Sequence, residues 1–96
     1  MEEETEERIK WFILHKMTRH RFWMGKHTSI HNLPKGLPDH ARGIKETKNV
    51  IHNLLKDGTL LSKSTNYGLE VSLNIKRKKD IEDFIEKNRN KFDKQF

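Results

Sequence analysis

The sequence predicts a mostly helical α+β domain, and three observations carry that expectation. Apolar residues recur at helical spacing near each end, as Ile9, Phe12, Ile13 and Met17 and then as Ile81, Phe84, Ile85 and Phe92. Asp57-Gly58 has the chemistry of a helix stop, since Gly enters the left-handed region without a Cβ penalty. Beyond it, Leu69, Val71 and Leu73 alternate with Glu70, Ser72 and Asn74 after Asn66-Tyr67-Gly68, the period of a strand leaving a tight turn. The 96 residues read as a single domain, with 1–4 and 93–96 expected to fray.

Thr5 is placed to cap the first helix, with Glu6 and Glu7 in its first turn against the positive end of the dipole. Trp11 and Leu14 widen its apolar stripe, and the helix should fade over 18–21. Phe22-Trp23-Met24 is expected to be a short extended piece ending at Gly25. Thr28 is the expected cap of a second helix that Pro34 and Gly36 hold to about two turns. Pro38-Asp39 opens a third helix whose buried set is Ile44, Ile51, Leu54 and Leu55, with Thr47 and Val50 at its edges and Gly58 as its stop. A two-stranded hairpin follows. Asn74 caps a last helix with Asn88 on its stripe, and the polar tail from Asn90 is expected to fray.

The formal charge is +6, and its distribution says more than its sum. Residues 1–7 carry five Glu and no base, while residues 8–79 carry sixteen Lys and Arg against four acids, or +12. Residues 80–96 hold four bases and five acids. A cationic middle favours polyanions and speeds encounter with them. The chain has no Cys, which removes disulfides, thiolate metal sites and cysteine nucleophiles, and makes a cytoplasmic protein the expectation. Its longest apolar run, Trp11-Phe12-Ile13-Leu14, falls far short of the ~20 residues of a membrane span.

Two short helices joined by a Gly/Pro turn, with a hairpin directly after the longer one, resemble the winged helix-turn-helix family, most of all its small archaeal members. The resemblance spans roughly residues 28–74 and is carried by Leu54-Leu55-Lys56-Asp57-Gly58-Thr59-Leu60-Leu61 and Tyr67-Gly68-Leu69-Glu70-Val71-Ser72-Leu73-Asn74. It implies a winged helix with a two-stranded wing and an extra C-terminal helix. It also implies a non-enzymatic, DNA-binding transcriptional regulator that sets its third helix in the major groove of double-stranded DNA. On that helix the face opposite Ile44, Ile51 and Leu55 carries Arg42, Lys45, Glu46, Asn49, Asn53 and Lys56. Arg42 and Lys45 can donate to guanine or phosphate, and Asn49 can pair with adenine. Lys48 lies nearer the buried side, as a phosphate contact or a snorkelling flank. Gly43 leaves the helix start, and with it the role of His40, open.

In the wing, Lys63, Thr65, Asn66 and Tyr67 suit phosphate contact. Alternatively Asn66 and Gly68 only shape the turn, and Tyr67 packs across the hairpin. Lys76-Arg77-Lys78-Lys79 places four cations in the first turn of a helix, against its dipole. Pairing of Lys78 with Glu82 and Lys79 with Asp83 offsets part of that, and phosphates held by the wing would offset more. A solubilising run is the plainer alternative.

His27 and His31 have i, i+4 spacing, but no Glu adjoins them, so a capping role is favoured over zinc and no cofactor is expected. No Gly-x-Ser-x-Gly elbow or phosphate-binding Gly loop occurs in the sequence. One recognition helix reads few base pairs, which calls for a homodimer built through the first and last helices. The alternative is that these two helices pack on each other in one chain. The competing function is a winged domain used for protein or RNA interaction inside a larger complex.

Overall fold

In the computed structural model, which describes residues 2–37 and 45–93, helix α1 (Glu2–Arg19) is the spine. It contacts α2 (Lys45–Lys56), α3 (Lys78–Phe92) and the sheet, and this sets the width of its apolar surface. Ile9, Trp11, Ile13, Leu14 and Met17 are all buried, whereas Phe12 is only half-buried. A single stripe would suffice for one neighbour; three neighbours need apolar side chains round more than half the helix. α1 starts at Glu2, so Thr5 lies within its first turns rather than capping it.

The described residues form an α+β structure with three α-helices and a three-stranded antiparallel sheet, where a two-stranded wing was expected. The strands are β1 (Thr28–Ser29), β2 (Leu60–Thr65) and β3 (Gly68–Leu73), in the order β1-β3-β2. β2 and β3 pair from Leu60 opposite Leu73 to Thr65 opposite Gly68. On its other edge β3 meets Thr28 and Ser29, and the Leu73 amide donates to the Phe22 carbonyl at 2.6 Å where Trp23 bridges to Leu73. Central placement explains why alternation fails at the end of β3. Val71, Ser72 and Leu73 are all buried, with Ser72 only 1% exposed where a wet residue was expected.

Thr28 is therefore a strand residue. Ser29 caps the next turn instead, its hydroxyl accepting from the His31 amide at 3.2 Å. That turn, Ile30–Asn32, is a single 3-10 turn rather than a two-turn helix, and hydrogen-bonded turns at Pro34–Leu37 follow it. The expected Asp39 cap and buried Ile44 lie outside the described residues.

The α2–β2 corner behaves as expected. Gly58 sits at φ +82°, and the Thr59 amide donates to the Asp57 carboxylate at 2.9 Å. A Cβ at Gly58 would come no nearer than 3.9 Å to the Arg77 side chain, so the penalty for Gly58→Ala is conformational. It should amount to about 1–2 kcal/mol, read as a fall of several degrees in the thermal unfolding midpoint.

Asn74 caps the 3-10 turn Ile75–Arg77, accepting from the Lys76 amide at 3.0 Å, and α3 follows. α3 does not fade at Asn90. It continues to Phe92, which is fully buried and tilts against Trp11 with ring centroids 6.5 Å apart. The Trp11 indole donates to the Ile85 carbonyl at 2.9 Å, which fixes α1 to α3 within one chain. Of the residues expected to form a homodimer face, Ile9, Ile13, Ile81, Ile85 and Phe92 are buried in this core, and Phe12 and Phe84 pack against it partly buried.

Candidate nucleic-acid interface

The outward surface of α2 follows from what the helix buries. Thr47, Val50 and Leu54 point inward, while Ile51 and Leu55 are only half-buried. At about 100° per residue, this turns the helix roughly a quarter turn from the expected orientation. The cause is that α2 packs on α1 as well as on β2, so the buried centre falls between the two neighbours. Lys45, Lys48, His52 and Lys56 consequently form one exposed ridge at i, i+3, i+7 and i+11, with Asn49 beside it. Lys48 is exposed rather than near the buried side.

His52 belongs to this ridge and sequence reasoning missed it. The signal was its spacing of four from Lys48, hidden by the misjudged inward face. The opposite flank is unsuited to a polyanion. Asn53 lines a groove of about 480 Å³ together with Glu6, Glu7 and Asp57 against one base, Lys10, so that side of α2 faces mainly carboxylates. Arg42 and His40 lie outside the described residues.

In the hairpin, Lys63 is exposed and stands opposite Glu70. The Thr65 hydroxyl is committed to the turn: it donates to the Gly68 carbonyl at 2.8 Å and accepts from the Tyr67 amide at 3.2 Å. Thr65 thus shapes the hairpin turn rather than reaching out from it. Asn66 is exposed, and Tyr67 is 95% exposed, so it does not pack across the hairpin. A tyrosine held out at a turn presents an apolar ring and a hydroxyl to whatever approaches.

The cationic run divides in two. Lys76 and Arg77 belong to the 3-10 turn, and Lys78 and Lys79 begin α3, followed by Asp80 in its first turn. Arg77 has a structural partner, donating from Nη2 to the Asp57 carbonyl at 2.8 Å. This bond satisfies a carbonyl at the end of α2 and draws the run up to the Lys56 end of the ridge. Lys78 lies over the Trp23 ring, 5.9 Å from its centroid, rather than along α3 toward Glu82. Elsewhere on α3, Arg89 pairs with Glu86 at 3.2 Å.

His27 precedes β1 and His31 lies in the 3-10 turn, so the two do not share a helix. Among the described residues no group of three or more His, Cys, Asp or Glu is placed to hold a metal ion, and no helix is long and apolar enough to cross a membrane. Comparison with protein-family models, curated proteins and solved structures finds no match.

Proposed function

We propose that this chain is a winged-helix DNA-binding domain, a non-enzymatic transcriptional regulator that lays α2 in the major groove and sets its hairpin on the flanking phosphates. The observation that carries the reading is the ridge Lys45–Lys48–His52–Lys56, with Asn49 beside it, on a helix that runs directly into an exposed hairpin. The sheet order β1-β3-β2 and the position of the hairpin after α2 agree with the winged architecture. Lysines supply sequence-independent phosphate contact, and Asn49 supplies the bidentate geometry that adenine accepts. Lys63 and Lys76 extend the phosphate surface beyond the helix.

The experiment is a titration of labelled protein with random-sequence duplex, mapping which amides shift. Changes confined to α2 and the hairpin support the reading; changes centred elsewhere, or none, refute it. Tyr67→Ala gives a sharper test, since a side chain 95% exposed contributes little to folding. The variant should keep its thermal midpoint and lose roughly three- to tenfold in duplex affinity, the effect of one modest contact. Unchanged affinity would remove the wing tip from the interface.

One observation favours the second reading, a winged module that binds protein or RNA in a larger complex. Ile51 and Leu55, only half-buried against the core, join Ile30 and Pro34 in a mainly apolar groove of about 480 Å³ bordered by His31, Lys48 and His52. A protein partner seated there would shift these residues and leave Lys63 and Tyr67 unaffected.

A further inference from the structure

A second cationic feature lies apart from α2 and the hairpin. The C-terminal half of α1 and the turn at Lys35-Gly36 enclose a cavity of about 300 Å³, at the lower end of the range of small-ligand pockets. His15, Lys16, Arg19, His20 and Lys35 line it against one carboxylate, Asp93, and none of its described lining residues belongs to α2 or the hairpin. Such crowding opposes folding, because like charges repel and Lys16 and His15 are also partly withdrawn from water. Burial, followed by Lys35, lowers the Lys16 pKa, and burial, followed by Arg89 and Arg19, lowers that of His15.

Geometry makes the cluster more than a collection of surface charges. The Lys16 ammonium donates to the Asn32 carbonyl at 2.8 Å and to the Lys35 carbonyl at 2.6 Å. Two of its three donors are therefore used to fix its position, and a third is left over. The His15 ring is held by stacking on Trp11, with centroids 4.5 Å apart and planes 17° from parallel. Gly36, at φ +96°, brings the turn against Phe12, and a Cβ there would stand 2.9 Å from the ring. Two of the cation-bearing walls are thus set in place before any ligand arrives, which reduces the ordering cost of binding.

We propose that this cavity is a binding site for a small phosphate-class oxyanion, free phosphate or a phosphomonoester, held by Lys16, Arg19 and Lys35 with His15 as a further donor. A compact anion with several acceptor oxygens suits a cavity whose lining is rich in cationic N–H donors, and it relieves the repulsion among them. The site is independent of the duplex reading, since it shares no described residue with α2 or the hairpin.

The full chain should be titrated with inorganic phosphate at constant ionic strength, following amide and imidazole resonances. Saturable shifts are expected at Lys16, Arg19, Lys35 and Gly36, and the His15 imidazole titration should move upward as the anion binds. Arg19→Gln, at an exposed position, should weaken phosphate roughly three- to tenfold, and Asp93→Asn should strengthen it by a similar factor. Lys63→Gln, on the hairpin, should change nothing. A nucleoside monophosphate that shifts the same amides identifies the ligand as a phosphomonoester, and free phosphate acting alone identifies the bare ion; either supports the site. Equal losses from Arg19→Gln and Lys63→Gln would show general screening and overturn the proposal. So would a duplex, but not phosphate, shifting the cavity residues.

Discussion

Raising the salt concentration from 50 to 200 mM should weaken duplex binding by roughly two to three orders of magnitude. The expectation rests on counting cations. Lys45, Lys48 and Lys56 on the α2 ridge, with Lys63 and Lys76 beyond it, are exposed side chains able to neutralise phosphates. Four to six such contacts give a log–log slope of about −4 to −5, because each neutralised phosphate releases most of a condensed counterion. Lys45→Gln or Lys48→Gln should make that slope shallower by about one while weakening all sequences alike. Asn49→Ala should alter sequence preference and leave the slope unchanged, since an amide carries no charge. A flat salt response, measured by fluorescence anisotropy across the same range, would instead favour the interaction-module reading with its apolar groove.

Phe92→Ala should lower stability by about 3–5 kcal/mol, the cost of removing a buried aromatic side chain and leaving the cavity behind. Marginal stability makes that a large share of what a domain of this size possesses. Phe92 is fully buried in the last turn of α3 and packs on Trp11, whose indole is fixed to the Ile85 carbonyl. The expected readout is a fall of at least about 12 °C in the thermal midpoint by circular dichroism. Lys87→Ala, at an exposed position of the same helix, serves as the comparison and should shift the midpoint far less. A small effect of Phe92→Ala would mean that the end of α3 does not belong to the folded core.

What was legible in the residues is what short-range chemistry decides. Gly58 stops α2 because no other residue takes φ +82° as readily, and Asn66-Tyr67-Gly68 turns the chain within a few residues. Asn74 caps the turn before α3 for the same local reason. The misreadings come from long-range packing. Thr28–Ser29 carries no strand signal of its own and becomes β1 only because β3 has a free edge to pair with. Ser72 reads as wet by alternation and is buried because β3 lies in the middle of the sheet.

The candidate site follows the same division. Lys45 and Asn49 could be placed outward from periodicity, and both are exposed; Lys48, which periodicity set nearer the buried side, is exposed too. His52 could not, because its place depends on how α1 and β2 together rotate α2. Thr65 and Arg77 looked available from their residue types, yet their hydrogen bonds go to the turn and to the Asp57 carbonyl. Whether a polar side chain is free to meet a ligand depends on bonds that sequence spacing does not encode.

The hairpin is fastened at its root and along the neighbouring half of β3, where Val71 and Glu70 pair with Thr28 and Ser29. At its root, the Asn74 amide and side chain donate to the Thr59 and Gly58 carbonyls at 3.0 and 2.8 Å, and Arg77 reaches Asp57 across the same gap. These contacts act as a buckle that joins where the ribbon leaves to where it returns. Among the described residues the far end shows no comparable tether, so residues can be added or removed around Asn66 while the buckle stays shut. Reach is therefore an adjustable dimension of this scaffold, separate from its foldability.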